Sequence, residues 1–227
     1  MFAFSSKTQV DKKFRLSDLY KMMAAEREVK ADAQNILSVT LKNVLSEDTL
    51  GIPAGDNVTE IYIFEIELSD KRIPSLFISC LDRAINLHTF FVLRCGAERL
   101  LYGCFKERTE KGVKLGKFYA TDWQAESAPV PLPLNVASIG DIYTAMLDEL
   151  IPITAKTGEN TGDFVARYDK IVRLKKEIAK KQKQVDAERQ PKRRFALNDE
   201  LKALKRELDL LTEGENENGK TQNDVDG

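Results

Sequence analysis

The chain has 227 residues, of which 42% are hydrophobic, and its formal net charge is −1. Its length and hydrophobic content fit one globular domain with an appendage. The charge is segregated along the chain, because residues 161–211 carry 15 Lys and Arg against 9 Asp and Glu, whereas residues 212–227 carry 1 against 5.

Two further features limit the cellular compartment. No stretch approaches transmembrane length, and the N-terminus lacks a continuous apolar run of signal-peptide length, so we expect a cytoplasmic protein that does not bind a membrane. The three cysteines, Cys80, Cys95 and Cys104, are an odd and sparse set, which is not a disulfide framework. A turn at residues 96–98 would also leave Cys104 well beyond the residue opposite Cys95 and outside disulfide reach.

The N-terminal part predicts short elements. A helix is expected over residues 17–23, where Ser17 can act as the N-cap. A second helix is expected over residues 26–37 and a strand over residues 38–45, whose apolar alternation is imperfect. Glycine and proline predict a loop over residues 50–57.

The central part carries the strongest patterns. Residues 58–68 read as a strand whose middle is buried on both faces, and residues 73–85 as a core helix with Pro74 in its first turn. Three runs rich in Phe, Val, Leu and Tyr follow at residues 88–94, 99–106 and 113–120 and predict an antiparallel meander. This order predicts an α+β fold, with a mainly antiparallel sheet and packed helices.

The C-terminal part begins with a connector. Prolines at 129, 131 and 133 predict extended chain, Ser138 can cap a helix that ends at Leu150, and residues 154–160 form a polar linker. We therefore divide the chain into an α+β core domain (1–128), a Pro-rich connector with one helix (129–160), a helical hairpin (161–211) and a disordered acidic tail (212–227).

Two heptad-patterned helices predict the hairpin. In the second helix, leucines recur at the four- and three-residue spacing of a coiled-coil seam: Leu197, Leu201, Leu204, Leu208 and Leu211. The first helix keeps this phase less well, because Lys175 and Gln182 stand where apolar residues are expected. Pro191 cannot continue a helix without losing a hydrogen bond, so the chain is expected to reverse there into an antiparallel coiled-coil hairpin.

Several motifs in their order along the chain resemble a known family. The most specific are Thr121-Asp122-Trp123 at the end of the third meander strand and the Leu-Asn-x-Glu-Leu run at residues 197–201. Supporting segments are residues 10–13, 86–93 and 101–108. Together they resemble the prokaryotic family labelled domain of unknown function forty-three ninety-one, over about residues 10–211.

The resemblance implies a genomic context but does not imply a catalysed reaction. Members of that family tend to be encoded beside helicases and DNA methyltransferases, which implies an accessory role in antiviral, restriction-modification-like defence against foreign DNA. We therefore expect a non-enzymatic accessory or scaffolding subunit that docks on a helicase or methyltransferase through its core and its hairpin. Candidate residues for this protein–protein interaction are Trp123, Leu197, Leu201, Leu204 and Leu208. Trp123 could instead cover the rim of the core, where Asp122 could cap the following turn.

Two alternatives stay open. Glu65 and Glu67 share one face of a strand and Asp122 ends another, so these carboxylates could build a metal-dependent nuclease site that is active only in the complex. The pattern is equally typical of a solvated strand end. His88 is the only histidine, and the chain has no Walker or dinucleotide glycine motif, so we expect no bound metal and no cofactor.

The second alternative is a salt-sensitive nucleic-acid-binding module. Cations concentrate on the hairpin, and they could contact DNA phosphates without reading the base sequence. The same composition also suits an exposed coiled coil, and its heptads could drive homodimerisation. The candidate nucleic-acid-binding residues are Lys175, Lys176, Lys180, Lys181, Lys183, Lys192, Arg193 and Arg194.

Overall fold

The computed structural model describes residues 5–55, 57–109, 112–127, 136–156 and 158–212. The chain divides into two compact units, Met1–Pro152 and Ile153–Gly227, which we call the sheet unit and the hairpin unit. The predicted acidic tail beyond residue 212 and the prolines of the predicted connector lie outside the described residues. No helix in the described ranges is both long enough and apolar enough to cross a membrane.

The N-terminal third of the sheet unit differs in part from the predicted elements. Its elements are β1 (Gln9–Phe14), α1 (Leu16–Met22), α2 (Arg27–Asp32), a 3-10 turn (Ala33–Asn35), β2 (Ile36–Ser46) and α3 (Glu47–Leu50). The second predicted helix therefore ends at Asp32, because Ile36 and Val39 are buried in a strand that pairs with its neighbour. Strand β1 lies at the edge of the sheet and is largely exposed, so it lacks the apolar alternation that predicts a strand.

The remaining elements of the sheet unit agree with the predicted order. They are β3 (Glu60–Leu68), α4 (Ser75–Ala84), β4 (His88–Cys95), β5 (Glu98–Thr109), β6 (Gly112–Ala120), β7 (Gln124–Ala125) and α5 (Ile139–Leu150). The seven-stranded sheet has the order β1-β2-β3-β4-β5-β6, with β7 also paired to β5. Only β3 and β4 are parallel among these pairs, since α4 connects them, and the other pairs are antiparallel. The predicted α+β fold is confirmed.

One face of the sheet packs against helices α1, α2 and α4. Leu19, Val29, Phe77, Ile78 and Leu81 of these helices are buried in one cluster with side chains of the sheet. On β3 the cluster contains every second residue, which is the two-residue period of a strand. The sheet residues of the cluster are Val39, Leu41, Phe64, Ile66, Leu68, Phe91, Leu93, Leu100 and Tyr102.

Helix α5 packs against strand β5 at Gly103. A Cβ atom at this position would lie 3.0 Å from the Phe90 ring and 3.2 Å from Leu150 Cδ1. Glycine is therefore needed here because a helix approaches the strand closely. Ser138 caps α5, as its sequence predicts, by accepting a hydrogen bond from the backbone N–H of Asp141.

The hairpin unit contains α6 (Thr161–Ala187) and α7 (Pro191–Thr212). The two helices pack together, and the chain reverses at residues 188–190, directly before Pro191. This confirms the predicted helical hairpin. Asn160 caps α6 by accepting a hydrogen bond from the backbone N–H of Asp163.

Candidate functional site

Ion pairs and hydrogen bonds define the antiparallel register of the hairpin. Lys170 Nζ lies 2.8 Å from Glu207 Oε1, and Lys181 Nζ lies 2.5 Å from Glu200 Oε2. Nearer to the base, Arg167 Nη1 donates to the carbonyl of Leu211 at 3.4 Å. Residues later in α6 thus contact residues earlier in α7, so the two helices are antiparallel along their length.

The seam of α6 differs from the predicted heptad. Leu174 is buried, with 3% of its surface exposed, whereas the adjacent Lys175 is exposed. The buried positions Phe164, Ile171 and Leu174 are spaced by seven and three residues, which keeps them on one face of the helix. Lys175 therefore does not interrupt the seam, because Leu174 occupies that position.

Arg167 anchors the base of the hairpin. Its guanidinium donates to both carboxylate oxygens of Glu159 at 2.8 and 2.9 Å, and Nη2 also donates to the carbonyl of Thr154 at 2.7 Å. Its side chain is only 7% exposed. One buried side chain therefore joins the linker, α6 and, through Leu211, the end of α7.

The leucine stripe of α7 is incompletely covered. Leu201 is 4% exposed, but the other candidate leucines on this stripe are only half-buried: Leu197, Leu204 and Leu208. Beside Leu204 lies a groove of about 510 Å³ between the two helices. Its lining residues are Glu177, Lys180, Lys181 and Gln184 from α6 and Glu200, Ala203, Leu204 and Glu207 from α7.

The candidate nucleic-acid-binding cations separate into two groups. Lys181 pairs with Glu200 across the hairpin. The others are exposed, and within the described part of the chain none of them forms an ion pair. These exposed cations are Lys175, Lys176, Lys180, Lys183, Lys192, Arg193 and Arg194.

Trp123 packs on the rim of the sheet core. Its ring is half-buried against the cluster between the sheet and its helices, and Lys71 Nζ lies 5.8 Å from the ring centroid. Lys71 in turn lies 2.5 Å from Glu98 Oε2. These contacts agree with the alternative that Trp123 covers the rim of the core, and its partner-binding role stays a prediction.

The candidate nuclease carboxylates have other neighbours. Glu65 Oε2 lies 3.5 Å from Arg94 Nη1, and Glu67 accepts a hydrogen bond from Ser38 at 3.2 Å. Asp122 is exposed after the end of β6. In the described ranges, no three or more His, Cys, Asp or Glu side chains form a group that could hold a metal ion.

A buried polar cluster in the sheet unit had no clear signal in the sequence. The carboxylate of Asp82, near the end of α4, lies 2.6 Å from Lys106 Nζ and accepts hydrogen bonds from Thr89 Oγ1 and, at 3.2 Å, Cys104 Sγ. Lys106 Nζ also donates to the carbonyls of Asp82, Ile85 and Leu87 at 2.9, 3.2 and 2.6 Å. The ammonium group therefore caps the C-terminal end of α4, where a positive charge is favourable.

Burial determines the chemistry of this cluster. Asp82 is 0% exposed, Cys104 1% and Lys106 3%. Burial raises the pKa of the Cys104 thiol and of the Asp82 carboxyl, although the Lys106 ammonium opposes the shift at Asp82. A buried thiol with a raised pKa is a poor nucleophile, so Cys104 is unsuited to nucleophilic catalysis. Cys80, Cys95 and Cys104 are all free, as predicted.

Tyr143 of α5 completes the cluster from the second face of the sheet. Its hydroxyl accepts a hydrogen bond from the backbone N–H of Lys106 at 2.9 Å and donates one to the carbonyl of Cys104 at 3.0 Å. The pairing of β5 with β6 shifts register between Cys104 and Lys106. The hydroxyl thus satisfies two backbone groups at an irregular point of the ladder.

We expect the substitution Tyr143→Phe to lower the free energy of unfolding by about 2 kcal/mol, because it leaves buried backbone groups without a partner. Urea unfolding followed by the fluorescence of Trp123, the single tryptophan, measures this change in the sheet unit. Tyr20→Phe is the matched control, since no described residue hydrogen-bonds the half-buried Tyr20 hydroxyl. Equal effects of the two substitutions would contradict the proposed role of the Tyr143 hydroxyl.

Comparison with protein families gave a match over most of the chain. A family model described as a domain of unknown function (DUF4391) matches residues 2–208. Neither the search of curated proteins nor the search of solved structures gave a match.

Proposed function

With residues 2–208 matched, the chain belongs to the DUF4391 family of domains of unknown function, and from this premise we propose that it is an accessory subunit of a bacterial DNA-directed defence system. In this proposal it is a cytoplasmic scaffold without catalytic activity of its own. Its hairpin binds a helix of a helicase or DNA methyltransferase that acts in the same system.

The incomplete burial of the α7 leucine stripe carries this proposal. Leucines at seam positions of a coiled coil are normally enclosed by the facing helices. Here Leu204 and Leu208 remain half-buried although α6 already packs against α7. A third helix laid along the groove would cover more of this apolar surface, which favours association.

The charges around the groove select the kind of helix that fits. The α6 side carries Glu177, Lys180 and Lys181, and the α7 side carries Glu200 and Glu207. Within the hairpin Lys181 already pairs with Glu200, and Glu207 pairs with Lys170. An amphipathic helix with an acidic residue toward Lys180 would complement the groove cation that forms no ion pair with a described residue. The exposed Ala203 and the half-buried Leu204 would contact its apolar stripe.

The expected genomic neighbourhood of the family supports the choice of partner. Helicases and DNA methyltransferases are large enzymes that perform the chemistry of DNA-directed defence. A small subunit that docks on them needs a specific contact surface and no active site. The groove meets that need, with the half-buried Leu204 and a charged rim.

Purification of the tagged chain from its native host tests the proposal. After nuclease treatment, we expect a helicase or methyltransferase to co-purify at both low and moderate salt. Leu204→Glu places a charge in the groove and is expected to weaken the purified complex by about 30-fold or more, the effect of losing an interface hot spot. The dissociation constant of the reconstituted complex measures this change.

Leu210→Glu is the matched control, because Leu210 lies on the same helix, is 62% exposed and does not line the groove. It should leave the affinity unchanged. The docking model fails if neither enzyme class co-purifies, or if both substitutions weaken the complex equally. Light scattering tests whether a second copy of the chain binds in the groove instead of the partner helix. If the chain forms a dimer that Leu204→Glu dissociates, the groove binds a second copy and the proposal is overturned.

A further inference from the structure

The outer face of α7 is a second surface of the hairpin. Lys192, Phe195, Asp199, Lys202 and Arg206 follow one another at alternating spacings of three and four residues, so they form one stripe along the helix. All five side chains are exposed. At 100° per residue, this stripe lies on the side of α7 opposite the leucines that face α6.

Positive charge dominates this stripe. Asp199 is its one acidic member among the five and lies 3.7 Å from Lys202. Lys192 and Arg206 form no ion pair with any other described residue, and the exposed Arg193 and Arg194 add charge at the tip. A stripe with this excess of cations is complementary to a polyanion.

Phe195 distinguishes this stripe from an ordinary solvated helix face. Its side chain is 68% exposed, the largest fraction among the large hydrophobic residues described as exposed. It lies one turn from Lys192 on one side, and on the other side Lys202 lies two turns away, beyond Asp199. An exposed aromatic ring between cations can stack on an unpaired base while the cations contact the phosphates.

We propose that the outer face of α7 binds single-stranded nucleic acid, with Phe195 as the base-stacking residue and Lys192, Lys202 and Arg206 as phosphate contacts. A protein partner is the alternative occupant of this stripe, because phenylalanine and arginine are enriched in protein interfaces although lysine is depleted there. A duplex fits less well, because its bases are stacked on each other and do not present their faces to Phe195. This surface is separate from the groove assigned to the partner helix.

Fluorescence anisotropy with labelled oligothymidine, oligouridine and a DNA duplex of the same length tests the proposal. With the purified full chain at low salt, we expect binding of the single strands and weaker binding of the duplex. Phe195→Ala should weaken single-strand binding about tenfold, the magnitude of one lost base stack. Phe195→Trp should restore the affinity, whereas Phe195→Leu should not.

The salt dependence tests the phosphate contacts. The logarithm of the binding constant falls with the logarithm of salt concentration by about 0.7 per phosphate contact to a single strand. The double substitution Lys202→Ala with Arg206→Ala should therefore reduce that slope by about 1.4. Lys21→Ala with Arg27→Ala, two exposed cations of the sheet unit, is the control of equal charge and should leave the slope unchanged.

Three outcomes would overturn the proposal: no single-strand binding at low salt, equal binding of duplex and single strand, or an affinity that Phe195→Ala does not change. Loss of the helicase or methyltransferase in the Phe195→Ala variant would also overturn it, by making the stripe a protein interface. Leu204→Glu should keep full single-strand affinity. The two proposals can therefore fail independently of each other.

Discussion

Replacing Lys106 with methionine is expected to lower the free energy of unfolding of the sheet unit by about 3–5 kcal/mol. Methionine keeps the volume of the side chain but removes the positive charge next to Asp82, which is 0% exposed. It also removes the donor for the carbonyl of Asp82 in the last turn of α4 and for the carbonyls of Ile85 and Leu87 after the helix. Denaturant unfolding followed by Trp123 fluorescence is the measurement.

Two variants separate the charge from the packing at this site. Lys114→Met on the neighbouring strand removes a lysine whose side chain is 75% exposed, and we expect a change below about 1 kcal/mol. Adding Asp82→Asn to Lys106→Met removes the unpaired buried charge and should restore part of the lost stability. A double variant that is as unstable as the sum of both single variants would show that the two side chains do not interact.

The pH dependence of the Lys106→Met variant follows from the same contact. Burial raises the pKa of Asp82 above its ordinary value, and loss of the ammonium removes the opposing attraction. A carboxyl whose pKa is higher in the folded than in the unfolded state stabilises the fold at low pH and loses this effect as pH rises through the folded pKa. The loss in unfolding free energy of Lys106→Met relative to the wild type should therefore be larger at pH 7 than at pH 5.

Replacing Arg167 with methionine is expected to destabilise the hairpin unit by about 3–5 kcal/mol. The substitution leaves Glu159, whose side chain is 11% exposed, without its bidentate partner and removes the donor to the carbonyls of Thr154 and Leu211. Arg167→Lys keeps the charge but loses the planar guanidinium that donates to both carboxylate oxygens of Glu159. It should therefore destabilise the hairpin unit less than Arg167→Met does. The loss of helical signal in far-UV circular dichroism on urea unfolding measures both effects.

Arg173→Met is the control for Arg167, because Arg173 is exposed on the same helix and forms no ion pair with a described residue. Hydrogen bonds from Arg167 lower the pKa of Glu159 below its ordinary value. Because the pKa of the Glu159 carboxyl is lower in the folded than in the unfolded chain, the ionised carboxylate stabilises the fold. This stability is fully present above the unfolded-state pKa of about 4.3 and is lost as the pH falls through the folded-state pKa. The wild-type hairpin should lose this stability in acid, whereas a similar acid loss in Arg167→Met would contradict the assigned pair.

Much of the fold was predictable because its signals are local. The two-residue alternation of β3 and the helical spacing of α4 are visible within single segments. Ser138 and Pro191 mark the starts of α5 and α7 by capping and by proline chemistry. The exposed edge strand β1 was missed, because its pattern does not alternate and its pairing with β2 is the only sign of a strand.

The candidate site was predictable only in outline. The sequence indicated the leucine stripe and the excess of lysine and arginine, since both depend on composition and spacing. It could not indicate that Leu204 stays half-buried while Leu201 is covered, because burial depends on how closely the facing helix packs. Nor could it distinguish Lys181, which pairs with Glu200, from the exposed Lys180.

By itself, the sequence determined the α+β order and the helical hairpin, because each follows from residues near one another in the chain. The tertiary structure alone decided which charges are buried in pairs. Lys106 and Asp82 lie on different elements, and so do Lys181 and Glu200. Their roles depend on distances that exist only after the chain has folded, since electrostatic attraction and desolvation depend on position in space.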